Sequence, residues 1–217
     1  MSPTRTPGAA DRARLAGWLD LAVRGWALFP VLPVRKQPAI AAWPERATTD
    51  PERIARFFTA NPDHNAGLAC GPSGLLVLDC DTPKPDTPDH GCTDDGAAVL
   101  ARLAAPFGGL PDTWTVITPS GGRHLYFRQP PDGEPLGNTV RTLGALLDTR
   151  GAGGYVLAPG CRLPNGAYEL EDDTDPASLP GWMTLRLAAG PSPAVSAASE
   201  RPCIRVGGPP GVCGSRR

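Results

Sequence analysis

Apolar and polar positions along this chain follow two rhythms, one helical and one alternating. From Asp11 to Arg24, Leu15, Trp18, Leu19, Ala22 and Val23 recur on one helical face, and Gly25 follows as a stop, which predicts an opening helix. Trp26-Ala27-Leu28-Phe29-Pro30-Val31 reads as a short buried strand, followed by a loop with Arg35 and Lys36. Thr49-Asp50-Pro51-Glu52 is a helix opening, with a capping side chain, an early proline and a glutamate three after the threonine. Its helix carries Ile54, Phe57 and Phe58 and stops near Asn61-Pro62. Asn65 to Gly71 predicts a strand closed by a glycine turn, with a hairpin into the apolar run Leu75-Leu76-Val77-Leu78. A helix over Gly96 to Phe107 comes next, then two β-rich runs, Thr113 to Thr118 and His124 to Arg128. Leu146-Leu147-Asp148, Tyr155 to Ala158 and Ala167 to Leu170 supply further short strands, and Leu179 to Ala188 a last helix. The expected fold class is α+β, in one domain over residues 10–190. Residues 191–217 turn to Pro, Ser, Gly and Ala without periodicity and read as a disordered tail.

Composition narrows the function classes. With 41% hydrophobic and 20% charged residues the chain is that of a soluble globular protein. No apolar run approaches the roughly 20 residues that span a bilayer, so a cytoplasmic protein without a membrane partner is expected. A net charge of -1 gives no global attraction to nucleic acid, and any such binding must use a local basic groove. Between Ser120 and Arg162 five arginines face two aspartates and one glutamate, a local surplus suited to an anionic ligand. Six cysteines without a CxxC pair fit reduced thiols, and His90-x-Cys92 offers two zinc-type ligands with no partner pair. The acidic stretch 82–96 reads as a solvated turn.

Three segments carry candidate chemistry. Asp79 and Asp81 end the Leu75–Leu78 run at i and i+2, hence on one strand face and roughly 7 Å apart along it. Such a pair is either a divalent-cation site or a solvated strand end. Thr118-Pro119-Ser120-Gly121-Gly122-Arg123-His124 joins a glycine turn, whose N–H groups can form an anion nest, to a histidine on the polar side of a strand; Leu125 and Phe127 are expected to enter the core. The alternative is a hairpin turn with an incidental histidine. In Asp148-Thr149-Arg150-Gly151-Ala152-Gly153-Gly154-Tyr155, Asp148 either completes a carboxylate cluster or pairs locally with Arg150.

Taken in order from about Leu15 to Leu170, these segments resemble the N-terminal domain of bifunctional DNA primase/polymerases, of the archaeo-eukaryotic primase superfamily. The match runs through Gly-Trp-Ala-Leu-Phe-Pro, Ala-Thr-Thr-Asp-Pro-Glu, Leu-Leu-Val-Leu-Asp-Cys-Asp, Thr-Pro-Ser-Gly-Gly-Arg-His-Leu-Tyr-Phe and Asp-Thr-Arg-Gly-Ala-Gly-Gly-Tyr-Val-Leu-Ala-Pro. The resemblance implies an RRM-like catalytic β-sheet with flanking helices beside a smaller N-terminal α/β unit. It also implies template-directed synthesis of primers or DNA from nucleoside triphosphates. Asp79, Asp81 and Asp148 are then the expected ligands of two Mg²⁺ or Mn²⁺ ions, with His124 as a further catalytic residue. Ser120, Gly121, Gly122, Arg123, His124 and Arg150, with Lys36, are the expected nucleotide-binding residues. Gly122 stands where many relatives have a serine two before the histidine. The expected partners are a single-stranded DNA template and primer and, because this sequence holds no helicase domain, a separate helicase or replication initiator. The rival readings are a replication-initiation binding module without catalysis and a metal-dependent phosphohydrolase or nuclease.

Overall fold

The structure is a computed structural model that describes residues 6–84 and 94–190. Helix α1 (Ala9–Val23) leads into strand β1 (Leu28–Val31), the short α2 (Trp43–Arg46), α3 (Pro51–Ala60), β2 (Asn65–Ala69) and β3 (Leu75–Cys80). Then come α4 (Gly96–Ala104), β4 (Thr115–Ile117), β5 (Arg123–Arg128), β6 (Thr139–Gly144), β7 (Leu147–Arg150) and β8 (Tyr155–Leu157). The described residues close with β9 (Arg162–Leu163), β10 (Gly166–Ala167), β11 (Glu169–Asp172), β12 (Ala177–Ser178) and α5 (Gly181–Ala188). A larger sheet runs β11-β4-β5-β3-β7-β6 with β12 beside β5, and a smaller one runs β1-β2-β8. The combination of helices with largely antiparallel sheets is α+β, as expected.

The run Leu75–Leu78 explains the layering. Side chains alternate across a strand, and both faces of β3 are covered, so every residue of the run is apolar. Leu75 and Val77 enter a core shared with α1, α3 and the smaller sheet, whereas Leu76, Leu78 and Cys80 enter a second core beneath α4 and α5. Strand β5 repeats the division, with Tyr126 in the first core and Phe127 in the second. The face of His124 is therefore a buried one; His124 is only 5% exposed. Sequence alternation read that face as polar because a histidine and an arginine flank the tyrosine on it.

Several local expectations are revised. The chain turns at Cys70–Leu75, with Gly74 N–H donating to Gly71 and Leu75 N–H to Cys70, but β2 and β3 do not form a hairpin. Strand β2 already has β1 and β8 on its two edges, so the turn carries the chain into the other sheet. In α1 the inward residues are Trp18, Leu21 and Ala22, while Val23 is 80% exposed; Trp18 packs against Phe58 of α3 with tilted rings, centroids 4.6 Å apart. The cap of α3 is Asp50, whose carboxylate accepts from the N–H groups of Glu52 and Arg53. Strand β6 is additional to the expected strands, and it is irregular: Arg141 takes a left-handed φ of 54° and the pairing with β7 shifts register beyond Val140. In the acidic stretch, Asp95 caps α4 through Ala98 N–H and Asp94 pairs with Arg102 at 2.8 Å. Asp86, Asp89, His90, Cys92 and the 191–217 tail lie outside the described residues.

Gly96 begins α4 against the end of β3. A Cβ there would collide with the Leu146 carbonyl and lie 2.9 Å from the Cys80 Cα. Overpacking against rigid backbone costs about 1–3 kcal/mol. Gly96→Ala is expected to lose stability in that range by urea denaturation, with m unchanged.

Candidate active site

Asp79 is the last residue of β3 on the face of Leu75 and Val77. Register sets its neighbours: Asp79 lies opposite His124 on β5 and opposite Asp148 on β7. Facing positions across adjacent strands point the same way, so the three side chains form a row across the larger sheet. Arg150 follows two residues after Asp148 on that side. A cavity of about 320 Å³ opens over the His124–Asp79 part of this row, and Lys36, Asp79, His124, Asn138, Arg150 and Tyr168 contribute to its wall. That volume is within the range typical of small-molecule sites. Three basic side chains facing one carboxylate make the cavity suited to an anion.

Contacts within the row are specific. His124 Nε2 lies 3.5 Å from Asp79 Oδ1, and its Nδ1 is buried without a hydrogen-bond partner among the described residues. Burial pushes the Asp79 carboxyl up, but His124, Arg150 and Lys36 together outweigh it and hold the group below the usual carboxylate range. Asp148 moves the other way. Burial raises it, the charges of Asp79 and Asp81 add to the rise, and the Arg141 N–H and Arg150 offset only part. Arg150 reaches Asp148 Oδ2 at 3.2 Å, and Arg141 N–H donates to Oδ1 at 3.2 Å.

Asp81 stands beyond the end of β3. Its N–H donates to Leu146 and its carboxylate pairs with Lys84 at 2.9 Å. Together with Thr82, Arg141 and Asp148 it borders a neighbouring cavity of about 190 Å³. Asp148 is thus beside Asp79 by register and beside Asp81 through the second cavity. Among the described residues no group of three or more His, Cys, Asp or Glu side chains is arranged to hold a metal ion. The donor chemistry, carboxylate oxygen, suits a hard divalent cation, and the mutual repulsion felt at Asp148 is the kind such a cation relieves. The side chains as they stand, each turned to a cation or an N–H, are not a closed ligand set.

The glycine turn lies to one side of the larger cavity. Gly121 adopts a φ of 84°, and Thr118 N–H donates to Gly122 at 2.8 Å. A Cβ at Gly122 would come within 2.5 Å of the Cys80 carbonyl, so the turn can pack against the end of β3 only with glycine there. The Ser120 carbonyl accepts from Thr82 at 3.0 Å, and Ser120 Oγ lies 3.2 Å from Thr118 Oγ1. Arg123 is engaged by Glu171 in a two-point contact of 2.7 and 2.9 Å. Ser120, Gly121 and Gly122 therefore neighbour Thr82 and the Cys80–Asp81 backbone, and Arg123 faces Cys80 and Glu171, rather than the wall shared by Asp79, His124, Lys36 and Arg150.

Sequence reasoning passed over Asn138, Tyr155 and Tyr168, which border the larger cavity. Asn138 Oδ1 accepts from Gly151 N–H at 3.0 Å, and a Cβ at Gly154 would collide with the same amide. The Gly151–Gly154 segment carried a signal, since its glycines permit that close approach. Asn138 sits in a Pro/Gly-rich connection without periodicity, and Tyr168, inside the expected Ala167–Leu170 strand, stands in no motif that marks it as a site residue.

Compared with known proteins, the chain matches the family described as bifunctional DNA primase/polymerase, N-terminal, over residues 18–182. No curated protein matches it. Among the described residues no helix is long and apolar enough to cross a membrane.

The opposed carboxyl shifts predict opposite pH signatures. The lowered Asp79 contributes stability that is present above its unfolded pKa and lost as pH falls through the folded one. The raised Asp148 contributes stability that is full below its unfolded pKa and is lost as pH rises through the folded one. In urea denaturation at pH 7, Asp79→Asn is expected to destabilise more than Asp148→Asn. The gap should close as pH falls below the ordinary carboxylate range.

Proposed function

The chain belongs to the family of bifunctional DNA primase/polymerase N-terminal domains, and we propose that it is a template-directed nucleotidyltransferase making primers or DNA from nucleoside triphosphates. The carrying observation is the row His124–Asp79–Asp148 across β5, β3 and β7, whose His124 and Asp79 open on a cavity walled by Lys36 and Arg150 while Asp148 borders the neighbouring one. In this reading Lys36, His124 and Arg150 neutralise and orient the triphosphate. The Ser120-Gly121-Gly122 turn and Arg123 serve the same ligand from the Asp81 side. Phosphoryl transfer demands positioning and charge compensation more than a protein nucleophile.

Asp79, Asp81 and Asp148 would hold Mg²⁺ or Mn²⁺. When bound, such ions neutralise phosphate charge and lower the pKa of an attacking hydroxyl. Asp79, kept ionised by its basic neighbours, is a ready anionic ligand at neutral pH. Arg150 touches Asp148 and also borders the cavity, so one guanidinium serves carboxylate and anionic ligand alike. In this reading residues 10–190 are the catalytic unit, with the larger sheet as its RRM-like platform and the N-terminal α/β part as its smaller companion. Single-stranded template and primer, with a separate helicase or initiator, are the corresponding partners, in the cytoplasm.

One observation favours a second reading. The pairing of Asp81 with Lys84 and of Asp148 with Arg150 suits a binding module that holds nucleotide or template without catalysis.

Primer-extension and de novo priming assays with Mg²⁺ or Mn²⁺ separate the two. The wild-type protein is expected to incorporate nucleotides, and Asp79→Ala to lose at least about 10²-fold in rate while keeping its circular dichroism spectrum. Nucleotide binding without incorporation by the wild type would establish the binding module instead.

A further inference from the structure

Lys36 reaches the cavity from the connection after β1 of the smaller sheet, and the way it is held is informative. It lies on the loop after β1, closed at its base by Leu32 N–H to Gln37 and Ala39 N–H to Pro30, both 2.9 Å. Beyond that base residues 34–37 are all exposed, and Val34 takes a left-handed φ of 56°. Burial therefore does little to fix the tip. One side chain does reach it: Tyr155 Oη donates to the Lys36 carbonyl at 2.5 Å.

Tyr155 is itself well fixed. Its backbone pairs with Ala69 of β2, and its ring meets Phe29 and Trp43 edge-on at 5.1 and 4.9 Å. Past the clamped carbonyl the Lys36 side chain extends until Nζ stands 5.9 Å from the centre of the Tyr168 ring. Its charge also helps hold Asp79 ionised. No carboxylate lies within salt-bridge distance of Nζ among the described residues. The ammonium is aimed and uncommitted, while the hydroxyl that aims it is committed to the backbone and not offered to a ligand.

We propose that Tyr155 is a positioning residue of the nucleotide site, its hydroxyl clamping the exposed loop so that Lys36 projects over the cavity toward the triphosphate. The proposal rests on the functional reading above and adds to it a role for the smaller sheet. Strand β8 sets the position of a cation carried by the connection after β1, so nucleotide affinity depends on a hydrogen bond that touches no nucleotide. The hydroxyl acts through Lys36 alone, and the two residues must therefore be energetically coupled.

A double-mutant cycle tests this, with the Kd of a nucleoside triphosphate measured by calorimetry in Mg²⁺ and the melting temperature recorded for each protein. Tyr155→Phe keeps the ring and its aromatic contacts and removes only the hydroxyl. It is expected to weaken binding about five-fold, the scale of one hydrogen bond. Lys36→Met should weaken it about ten-fold or more, the scale of a charged contact. Adding Tyr155→Phe to Lys36→Met should change Kd no further. Additive losses, or wild-type affinity in Tyr155→Phe, would overturn the clamp while leaving the nucleotide site intact. A wild-type protein that binds no triphosphate would overturn the functional reading and the clamp with it.

Discussion

Burial of β3 on both faces is the constraint from which the rest of the structure follows. Four successive aliphatic side chains divide between two cores, and a fully buried side chain of this size contributes about 1.5–3 kcal/mol. A slip of one residue would exchange the two faces, so register is strongly specified wherever both are packed. Strands β5 and β7 flank β3 and inherit that register. Because Asp79 continues the Leu75–Val77 face by one more step, packing of the run fixes which residues meet it. The polar row is thus a consequence of the apolar one.

Where that row leaves the core, burial and charge compete. Asp79 and Asp148 face each other on adjacent strands, yet their carboxyl groups shift in opposite directions. Asp79 has His124, Lys36 and Arg150 on its side. Asp148 has Arg150 and a backbone N–H against two neighbouring carboxylates. Two such groups held together by strand pairing make a site that stabilises added positive charge, whether from arginine and lysine or from a bound cation. The present arrangement meets that demand with Arg150 at Asp148 and with His124, Arg150 and Lys36 around Asp79.

The smaller sheet takes part in the site as well as in the core. Tyr155 and its neighbours on β8 border the cavity, and the connection after β1 brings Lys36 to it. Aromatic packing among Phe29, Trp43 and Tyr155 ties these pieces together on one side of that sheet. The cavity wall is therefore built from segments more than a hundred residues apart in sequence, from Lys36 to Arg150 and Tyr155.

By itself the sequence determined what short-range rules control. The apolar run and its terminal aspartates, the capped opening of α3, the glycine turn before His124 and the α+β class were legible, because periodicity, capping and turn chemistry act over a few residues. The order of the motifs also carried the family likeness. Tertiary structure alone decided which aspartates share a surface, since strand pairing joins Asp79 to Asp148 while the end of β3 turns Asp81 toward Lys84. It decided that Arg123 is engaged by Glu171, that the face of His124 is buried, and that β2 leads into a different sheet from β3. Those outcomes depend on which strands meet and which faces are covered. Contacts between distant segments set both, and no local spacing encodes them.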